Sequence, residues 1–501
     1  MNDQRPNILI IVLDAARAEN FSLYGYDKPT TPNLERFADQ FAIYRNCVSA
    51  AIWTLPSTTG LFTGTYPSTH QLEIDGERLS RRFVTLAERL SELGYATAKV
   101  TGLVPYVSDF SGLDRGFAQS FEPPPNPLRA AWRRVQRRAA QRSGRTRREG
   151  IDAGLDIKAE ADTARRQTLT HRLRYWLTGF TDAGAAACMD HAREFWQRFE
   201  DRPRFIYMHL QETHAEYRPP HAFRRRFLPD ALRYRNIAAV NQRPNPHDLG
   251  LVKMTGDEYA ILMGLYDGCI AYLDEQIGEL LDDLSTRPDF DNTLVLITAD
   301  HGDCLGRHGI LGHQFVCYEE LLHIPWIVKW PRSVGVTGDQ PQLIQNVDLF
   351  TTLCPLLGIE RPAQCEGIDI LSQHREVAHA ELLKPFGVAG VREGLHRLAP
   401  HLNRGVLAMR SVSHKCITYS NDQPDELFDL TADPREEHNL IDATGKWPEF
   451  EQARRLRAAM EAWKPRWKQA FDEVQHRLKE DGSPEMSPIV EERLRALGYL
   501  D

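Results

Sequence analysis

The sequence lacks any hydrophobic run near the ~20 apolar residues that a transmembrane helix needs. It also lacks the pattern of a secretory signal peptide, because Met1 to Pro6 lead directly into the apolar stretch Ile8 to Leu13 without a small-residue cleavage site. Both absences are those of a soluble protein, and we predict a cytoplasmic location.

Closely spaced cysteine pairs are missing as well. The 8 cysteines are scattered and form no C-x-x-C motif, so we expect buried, reduced thiols rather than disulfides or a thiolate metal cluster. Positive charge is not in excess either, because 61 Lys and Arg against 69 Asp and Glu give a net charge of −8. This balance disfavours general nucleic acid binding, and no nucleic acid partner is expected.

What the sequence does contain is an alternation of strand and helix patterns. Continuous apolar runs without period-two alternation are typical of strands in the middle of a parallel sheet. The runs of this kind are Asn7–Leu13, Arg204–Leu210 and Thr293–Thr298, and Ala96–Thr101 is a further strand candidate. The helix candidates are Thr31–Ala38 with a threonine cap, Phe83–Leu93 and Asp257–Leu284. We therefore predict an α/β fold with a large, mostly parallel sheet sandwiched by helices.

The C-terminal part changes character after about residue 370. Antiparallel strand candidates over Val406–Tyr419 and Glu426–Leu430 precede a long helix at Pro448–Lys479. We predict a catalytic domain over residues 1–370 and a smaller C-terminal α/β lobe over residues 371–501.

A proline- and arginine-rich insertion interrupts the first domain at about residues 123–184. From Arg129 to Arg148 arginines recur, and no acidic residue occurs before Glu149. Two interpretations stay open. The segment is either a solvated helical insertion or a surface for peripheral contact with anionic lipid or a polyanionic substrate.

Three separated segments place reactive side chains where they can meet at one edge of the sheet. Asp14 follows the first strand, Asp300 and His301 follow a later one, and Thr54 lies where a loop enters a helix. Open α/β sheets bind ligands at the carboxyl ends of their strands. Two carboxylates and an imidazole suit a divalent cation, which together with a helix N-terminus would activate the threonine hydroxyl. Each residue alone would equally fit a cap or a turn.

Taken in order, the motifs resemble the opening, middle and late segments of the sulfatase branch of the alkaline phosphatase superfamily. The matching segments cover nearly the whole chain: Pro6–Asp14 with Arg17, Trp53–Ser57 with Leu61–Pro67, Ala299–Asp303 with Gly312–His313, Tyr318–Glu320, and Leu427–Leu430. The resemblance implies the fold of that superfamily and a metal-dependent hydrolase that acts on ester bonds.

The resemblance also implies a metal centre. Asp14, Asp300 and His301 correspond to metal ligands, and Thr54 occupies the position of the cysteine or serine that sulfatases convert to formylglycine. Thr54 is therefore assigned both to the metal and to nucleophilic catalysis. The implied cofactor is a divalent ion, Mn, Zn or Ca/Mg, at one site, with room for a second.

Further residues are implied to contact the substrate or its leaving group. His214 corresponds to a histidine that assists the leaving group or binds the substrate anion, and His313 to a lysine or histidine that contacts the transferred group. Asp75 stands where an asparagine touches the substrate anion. Arg17 recurs in the family's opening, with a structural role or a contact to the substrate.

Several positions depart from the sulfatase pattern. Threonine at position 54 cannot become formylglycine, and Thr58 replaces an arginine of the sulfatase signature. Ala15 replaces a second aspartate of the metal site, and Thr101-Gly102-Leu103 replaces a segment with a lysine and a histidine. These changes favour the members of the superfamily that use threonine on phosphoesters or phosphonate esters.

We therefore predict a metal-dependent hydrolase that cleaves phosphomonoesters, phosphodiesters or phosphonate esters through Thr54. The alternatives are a sulfuric ester hydrolase, a phospho-headgroup transferase and a catalytically silent binding protein. The expected substrate is a small-molecule or lipid-headgroup anionic ester, and the protein could form an oligomer. His209 lies within a strand pattern and is expected to be a core residue.

Overall fold

The computed structural model describes residues 5–74, 77–102, 104, 106–123, 182–230, 237, 240–384 and 399–480. The strands of the larger sheet and the small hairpin beside it lie in the first three quarters of the chain. They are β1 Asn7–Leu13, β2 Ala42–Val48, β3 Ala96–Thr101, β4 Gln119–Phe121, β5 Arg204–Leu210, β6 Thr293–Thr298, β7 Cys304–Leu305, β8 Leu311–Gly312, β9 His323–Ile324, β10 Trp326–Lys329 and β11 Gly338–Gln345.

The later strands form a separate antiparallel sheet, and the α-helices are distributed along the chain. The strands are β12 Ala378–Leu382, β13 Val406–Arg410, β14 His414–Tyr419 and β15 Glu426–Asp429. The helices are α1 Pro32–Arg36, α2 Thr54–Thr63, α3 Pro67–His70, α4 Leu86–Glu92, α5 Ala185–Arg198, α6 His221–Phe227, α7 Pro244–Asp248, α8 Gly256–Ser285, α9 Glu319–Leu322, α10 Asp348–Leu357 and α11 Glu451–Glu480.

The described part of the chain contains a nine-stranded sheet in the order β11-β2-β10-β6-β1-β5-β3-β4, with β9 paired to β2. The central strand β1 is parallel to both of its neighbours, β5 and β6. Strand β10 runs antiparallel to β6 and β2. Helices flank this sheet, so the predicted α/β fold with a mostly parallel sheet is confirmed. The central strands are fully buried because their apolar side chains face helices on both sides.

The smaller sheet has the order β12-β13-β14-β15 and is antiparallel throughout. A second hydrophobic cluster, which includes Leu407, Cys416, Leu456 and Trp467, joins this sheet to α11. The predicted antiparallel strands and long helix are confirmed, although the helix begins at Glu451. The division of the chain at residue 370 stays a prediction.

The register of the central strands brings their carboxyl ends to one edge. Val12 of β1 lies opposite His209 of β5 and Thr298 of β6. The backbone N–H of Asp14 donates to the carbonyl oxygen of Leu210 at 2.8 Å. Residues that follow β1, β5 and β6 therefore meet at the same edge of the sheet.

One predicted cap is wrong. Thr31 precedes α1, but its side chain does not cap the helix, and instead accepts a hydrogen bond from the backbone of Leu23 at 2.9 Å. The carboxylate of Asp274 on α8 accepts from the backbone N–H groups of Asn33 and Leu34, both at 2.9 Å. A tertiary contact thus supplies the acceptor that the local sequence seemed to provide.

Two further expectations concern the cysteines and membrane-spanning helices. All eight cysteines are free and buried, as expected. Among the described helices, none combines the length and the apolar character that crossing a membrane requires. The arginine-rich stretch Arg129–Arg148 lies outside the described residues, as does most of the insertion predicted at 123–184.

Glu212, two residues beyond β5, links the strand end to the start of α5. Its Oε1 accepts from the backbone N–H of Ala185 at 2.8 Å, and Asp182 accepts from the same amide. Burial first, and then the charge of Asp182, raise the pKa of Glu212 to about 8. The folded protein therefore favours the protonated form of the Glu212 carboxyl. The stability that this bound proton contributes is complete at acidic pH and is lost as pH rises through about 8.

Glu212→Gln is expected to remove this pH dependence while keeping the acceptor for Ala185. Relative to the variant, the wild type should lose about 1–3 kcal/mol of unfolding free energy between pH 5 and pH 9. Denaturant unfolding across this range measures the difference. Glu194→Gln, an exposed change on α5, is the matched control. Parallel pH profiles for the wild type and Glu212→Gln would contradict the prediction.

Candidate active site

Two carboxylates and one imidazole converge at the carboxyl edge of the central strands. Asp14 follows β1, and Asp300 and His301 follow β6; one donor atom from each lies within 4.8 Å of the others. His301 Nε2 is 3.3 Å from Asp300 Oδ2 and 3.8 Å from Asp14 Oδ1. All three side chains are buried. The structure thus brings together the three residues that the sequence singled out as metal ligands.

Thr54 completes this group of donors as the first residue of α2. Its Oγ1 lies 3.3 Å from His301 Nε2. Trp53, the residue before the helix, is extended and provides no side-chain cap. The hydroxyl therefore lies where the unpaired amides of a helix N-terminus create positive potential. Such a potential favours an anion on or beside Thr54.

The electrostatics of the two carboxylates call for a cation. Burial first, then repulsion from Asp300 and Asp303, raise the pKa of Asp14 well above its usual range. Asp14 Oδ1 and Asp300 Oδ2 have no hydrogen-bond partner within the described part of the chain. Unpaired buried carboxylate oxygens are costly unless a cation compensates them. The donor set of carboxylates, imidazole and hydroxyl fits a hard or borderline divalent ion.

The loop after β6 is fixed by backbone contacts. Ser49 and Ser57 each donate their hydroxyl to the carbonyl oxygen of Asp300 at 2.6 Å. Asp300 Oδ1 accepts from the amides of Ala15 at 3.1 Å and His301 at 2.9 Å. These bonds occupy Oδ1 and leave Oδ2 directed at the other donors. The loop therefore presents Asp300 in one orientation.

Gly302 allows the chain to turn immediately after His301. A Cβ at this position would overlap the carbonyl oxygen of Glu320 and contact the Arg17 side chain. His301 Nδ1 donates to the carbonyl oxygen of Gly302 at 2.7 Å. Nδ1 therefore carries the proton, and the Nε2 lone pair faces Thr54 and the carboxylates.

The two predicted substrate histidines lie together beside the metal ligands. The His313 ring centroid is 4.3 Å from that of His301 and 5.1 Å from that of His214. His214 Nδ1 donates to the carbonyl oxygen of Ala215 at 2.8 Å. Burial first, then the neighbouring His313, lower the pKa of His214 to about 4, so its imidazole is neutral at pH 7.

Asp303 orients His313 and was not selected from the sequence. Its Oδ1 lies 3.4 Å from His313 Nδ1, and Tyr217 donates its hydroxyl to Oδ2. Burial opposes ionisation, but the hydrogen bond and charge of His313, the charge of His214 and the hydrogen bond from Tyr217 together hold the pKa of Asp303 below its usual value. Its position in the Ala299–Asp303 motif was the available signal.

The family resemblance also implied substrate contacts for Arg17 and Asp75. The guanidinium of Arg17 pairs with Glu19 at 3.1 Å and donates to Asn20 Oδ1 at 2.6 and 2.9 Å. It also reaches the carbonyl oxygen of Asp303 at 3.4 Å. The contact with Asp303 joins Arg17 to the loop that carries Asp300 and His301. Asp75 lies outside the described residues.

His209 is the other residue whose position the sequence did not reveal. It is buried in β5 as expected, yet its Nε2 lies 3.7 Å from Asp14 Oδ2 and 3.7 Å from Asp300 Oδ2. Burial lowers the pKa of His209, against the charge of Asp300, so the imidazole is neutral at pH 7. The only available signal was a polar residue near the carboxyl end of an apolar strand.

Comparison with known families gives two matches that overlap. A family model described as Sulfatase matches residues 6–359. A second, described as N-sulphoglucosamine sulphohydrolase, C-terminal, matches residues 306–462. Together they span the region that contains every candidate site residue.

Individual relatives are distant in sequence but similar in length. An N-acetylgalactosamine-6-O-sulfatase of Bacteroides thetaiotaomicron is 25% identical over 88% of this chain and 90% of its own. The multifunctional alkaline phosphatase superfamily protein PehA of Trinickia caryophylli is 23% identical over 87% of this chain and 91% of its own. The crystal structure of a phosphonate monoester hydrolase of Agrobacterium radiobacter superposes with a TM-score of 0.66 at 19% identity, covering 93% of this chain and 96% of that one. The last likeness establishes the fold.

Replacing a metal ligand is expected to remove bound metal without unfolding the protein. Asp300→Asn keeps the oxygen that accepts backbone amides but lowers the donor charge, and His301→Ala removes a nitrogen donor. Each should weaken metal binding by on the order of 100-fold or more. Elemental analysis, chelator competition and circular dichroism measure these effects. His308→Ala, which removes a ring stacked on Tyr318, is the control, and full metal content in both ligand variants would refute the assignment.

Proposed function

This chain belongs to the sulfatase family, and from that premise we propose that it hydrolyses phosphate or phosphonate esters with Thr54 as its nucleophile. The protein is an ester-bond hydrolase of the sulfatase superfamily. The observation that carries the finer proposal is the position of Thr54. A hydroxyl at a helix N-terminus, 3.3 Å from His301 Nε2 and beside two buried carboxylates, is suited to attack an electrophilic phosphorus.

The identity of residue 54 favours phosphorus over sulfur. Sulfatases of this family form formylglycine from cysteine or serine, and threonine cannot follow that route. Thr58 supports the same conclusion, because it replaces an arginine of the sulfatase signature and is fully buried. The family match nevertheless keeps sulfate ester hydrolysis as the second candidate. Measuring whether phosphate or sulfate is released distinguishes the two.

In the first step Thr54 Oγ1 attacks phosphorus. The Oγ1–P bond forms while the bond from phosphorus to the leaving oxygen breaks, which gives a phosphothreonine. A divalent cation held by Asp14, Asp300 and His301 would supply positive charge that favours the ionised hydroxyl and offsets charge on the phosphoryl oxygens. The hydroxyl proton passes to solvent. The helix N-terminus lowers the cost of the negative charge at Thr54.

His313 is suited to protonate the leaving oxygen. As an imidazolium, His313 would donate its Nδ1–H to ionised Asp303 and transfer the proton on Nε2 to the leaving oxygen. In the second step water attacks phosphorus, the Oγ1–P bond breaks, and the threonine hydroxyl is restored. His214 is suited to take the proton of that water, because its Nδ1–H is held by Ala215 and its neutral Nε2 is an acceptor. The proton returns to His313 through solvent.

The substrate belongs to the anionic esters. A choline-sulfatase of Rhizobium meliloti and the phosphonate monoester hydrolases among the relatives are named for small anionic esters. We extend that class to this chain, as a small molecule or a lipid headgroup. Contact of Arg129–Arg148 with an anionic surface and a cytoplasmic location remain part of this proposal.

Removing the Thr54 hydroxyl is expected to abolish turnover. Thr54→Ala should lower kcat by at least about 10³-fold with a smaller change in KM, because the nucleophile is deleted and substrate contacts remain. Thr54→Ser should retain partial activity. Thr59→Ala is the matched control, because the Thr59 hydroxyl bonds only the backbone of its own helix, at Leu55. A slow substrate should add a phosphoryl mass to the wild-type peptide that contains Thr54, and near wild-type turnover by Thr54→Ala would exclude this mechanism.

Loss of His313 is expected to depend on the leaving group. An alkyl ester needs its leaving oxygen protonated, whereas a nitrophenyl ester departs without that help. For His313→Gln, kcat/KM should therefore fall by about 100-fold more for the alkyl ester than for the nitrophenyl ester. Steady-state kinetics on paired phosphodiesters measure this difference. Equal losses on both esters would assign His313 to binding of the phosphoryl group instead.

A further inference from the structure

We propose that His209 is an additional ligand of the divalent cation, through Nε2, beside Asp14, Asp300, His301 and Thr54. The inference rests on the proposed function, because it assumes that the cluster of donors holds a metal. It assigns a role to a strand residue that neither the sequence motifs nor the family resemblance singled out.

The first argument is distance. His209 Nε2 is 3.7 Å from an oxygen of each carboxylate, which is too long for a hydrogen bond to either. His301 Nε2 shows the same pattern, with 3.3 and 3.8 Å to the same two residues. Neighbouring ligands of a five-coordinate ion with bonds of about 2.1 Å lie roughly 3.0–3.6 Å apart. The four nitrogen–oxygen separations are therefore better explained by donors that surround one cation than by hydrogen bonds between these donors.

The second argument is the unused nitrogen. His209 is fully buried, and its Nε2 finds no hydrogen-bond partner among the residues that the structure describes. The oxygens Asp14 Oδ1 and Asp300 Oδ2 also have no hydrogen-bond partner among the described residues. Unsatisfied polar atoms are rare in protein interiors, and each one calls for an explanation. His209 Nε2 lies 3.7 Å from Asp300 Oδ2 and 3.7 Å from the other Asp14 oxygen, Oδ2. A bound ion would compensate these unpaired atoms together.

The third argument is ring orientation. His209 Nδ1 lies 2.9 Å from the hydroxyl of Tyr207, two residues earlier on β5. His301 Nδ1 is held in the same way by the carbonyl oxygen of Gly302 at 2.7 Å. A histidine that binds a metal usually donates its other ring N–H to an oxygen, which fixes the tautomer. We assign the proton of His209 to Nδ1, so that Nε2 offers its lone pair to the carboxylate side.

A purely structural role explains fewer of these contacts. An unpaired Nε2 alone does not mark a ligand, because the buried His379 also has one within the described residues. What distinguishes His209 is that its Nε2 lies 3.7 Å from an oxygen of each of two carboxylates. With two imidazoles in the donor set, the centre should prefer zinc to calcium or magnesium, which favour all-oxygen ligands.

The test counts imidazole ligands on the zinc-loaded full-length protein by X-ray absorption spectroscopy. The wild type should show two imidazoles, and His209→Asn and His301→Asn should each show one. Chelator competition should give zinc affinity at least about 100-fold weaker for His209→Asn. His379→Asn is the matched control, because His379 is a buried histidine held between Tyr66 and Trp463 in the smaller sheet. The His379→Asn variant should still show two imidazole ligands on zinc.

The remaining outcomes separate this inference from the proposed function. A wild-type protein with a single imidazole, which His301→Asn removes and His209→Asn leaves, would overturn the role of His209 alone. A wild type that binds no zinc or manganese would overturn the metal centre itself. Tyr207→Phe removes the partner of Nδ1 without touching the ligand. It should weaken zinc binding about 10–100-fold while the count stays at two, so the proposal is testable even if His209→Asn does not fold.

Discussion

Two buried carboxylates held next to one another are the constraint around which this protein is organised. Asp14 and Asp300 lie at the ends of adjacent strands, where burial and mutual repulsion raise the pKa of Asp14. Such a pair is unstable without compensation. The surroundings provide it through the amides of Ala15 and His301 on Asp300 and the start of a helix at Thr54. A divalent cation would complete the compensation.

The sheet makes this close approach reproducible. Three strands with fully buried faces cannot slip in register without turning polar residues into the core, so β1, β5 and β6 end together. Ser49 and Ser57 then anchor the carbonyl oxygen of Asp300 from elsewhere in the chain. The site is therefore assembled by distant segments, and its precision comes from the packing of the sheet rather than from any one loop.

The sequence predicted the elements that are defined by composition alone. The four strand candidates have the bounds that the structure shows, because each is followed by a polar or small residue, namely Asp14, Gly102, Gln211 or Ala299. The cap of α1 was wrong because Asp274, on a helix far along the chain, supplies the acceptor. The grouping of Asp14, Asp300, His301 and Thr54 followed from strand ends and from family resemblance, and the structure places these residues together.

What could not be predicted depends on side-chain direction. A strand pattern predicts that His209 is buried, but not that its ring lies near the carboxylates of Asp14, which follows β1, and Asp300, which follows β6. Likewise Asp303 is one acidic residue among many until His313 and Tyr217, from two other segments, are seen to bond it. The periodicity of apolar residues predicts which side chains are buried, but not which of them contact one another.

The short loop after β6 connects the two halves of the chemistry. His301 Nε2 lies 3.3 Å from the hydroxyl of Thr54, and Asp303 Oδ1 lies 3.4 Å from His313 Nδ1. Gly302 separates them at a point where a Cβ would overlap the carbonyl oxygen of Glu320. A side chain there would push the loop outward and move the cation ligands and the acid–base pair together. In the proposed mechanism this loop contacts the nucleophile through His301 and the proton donor through Asp303. For this reason a change in that loop should affect bond formation and leaving-group departure together.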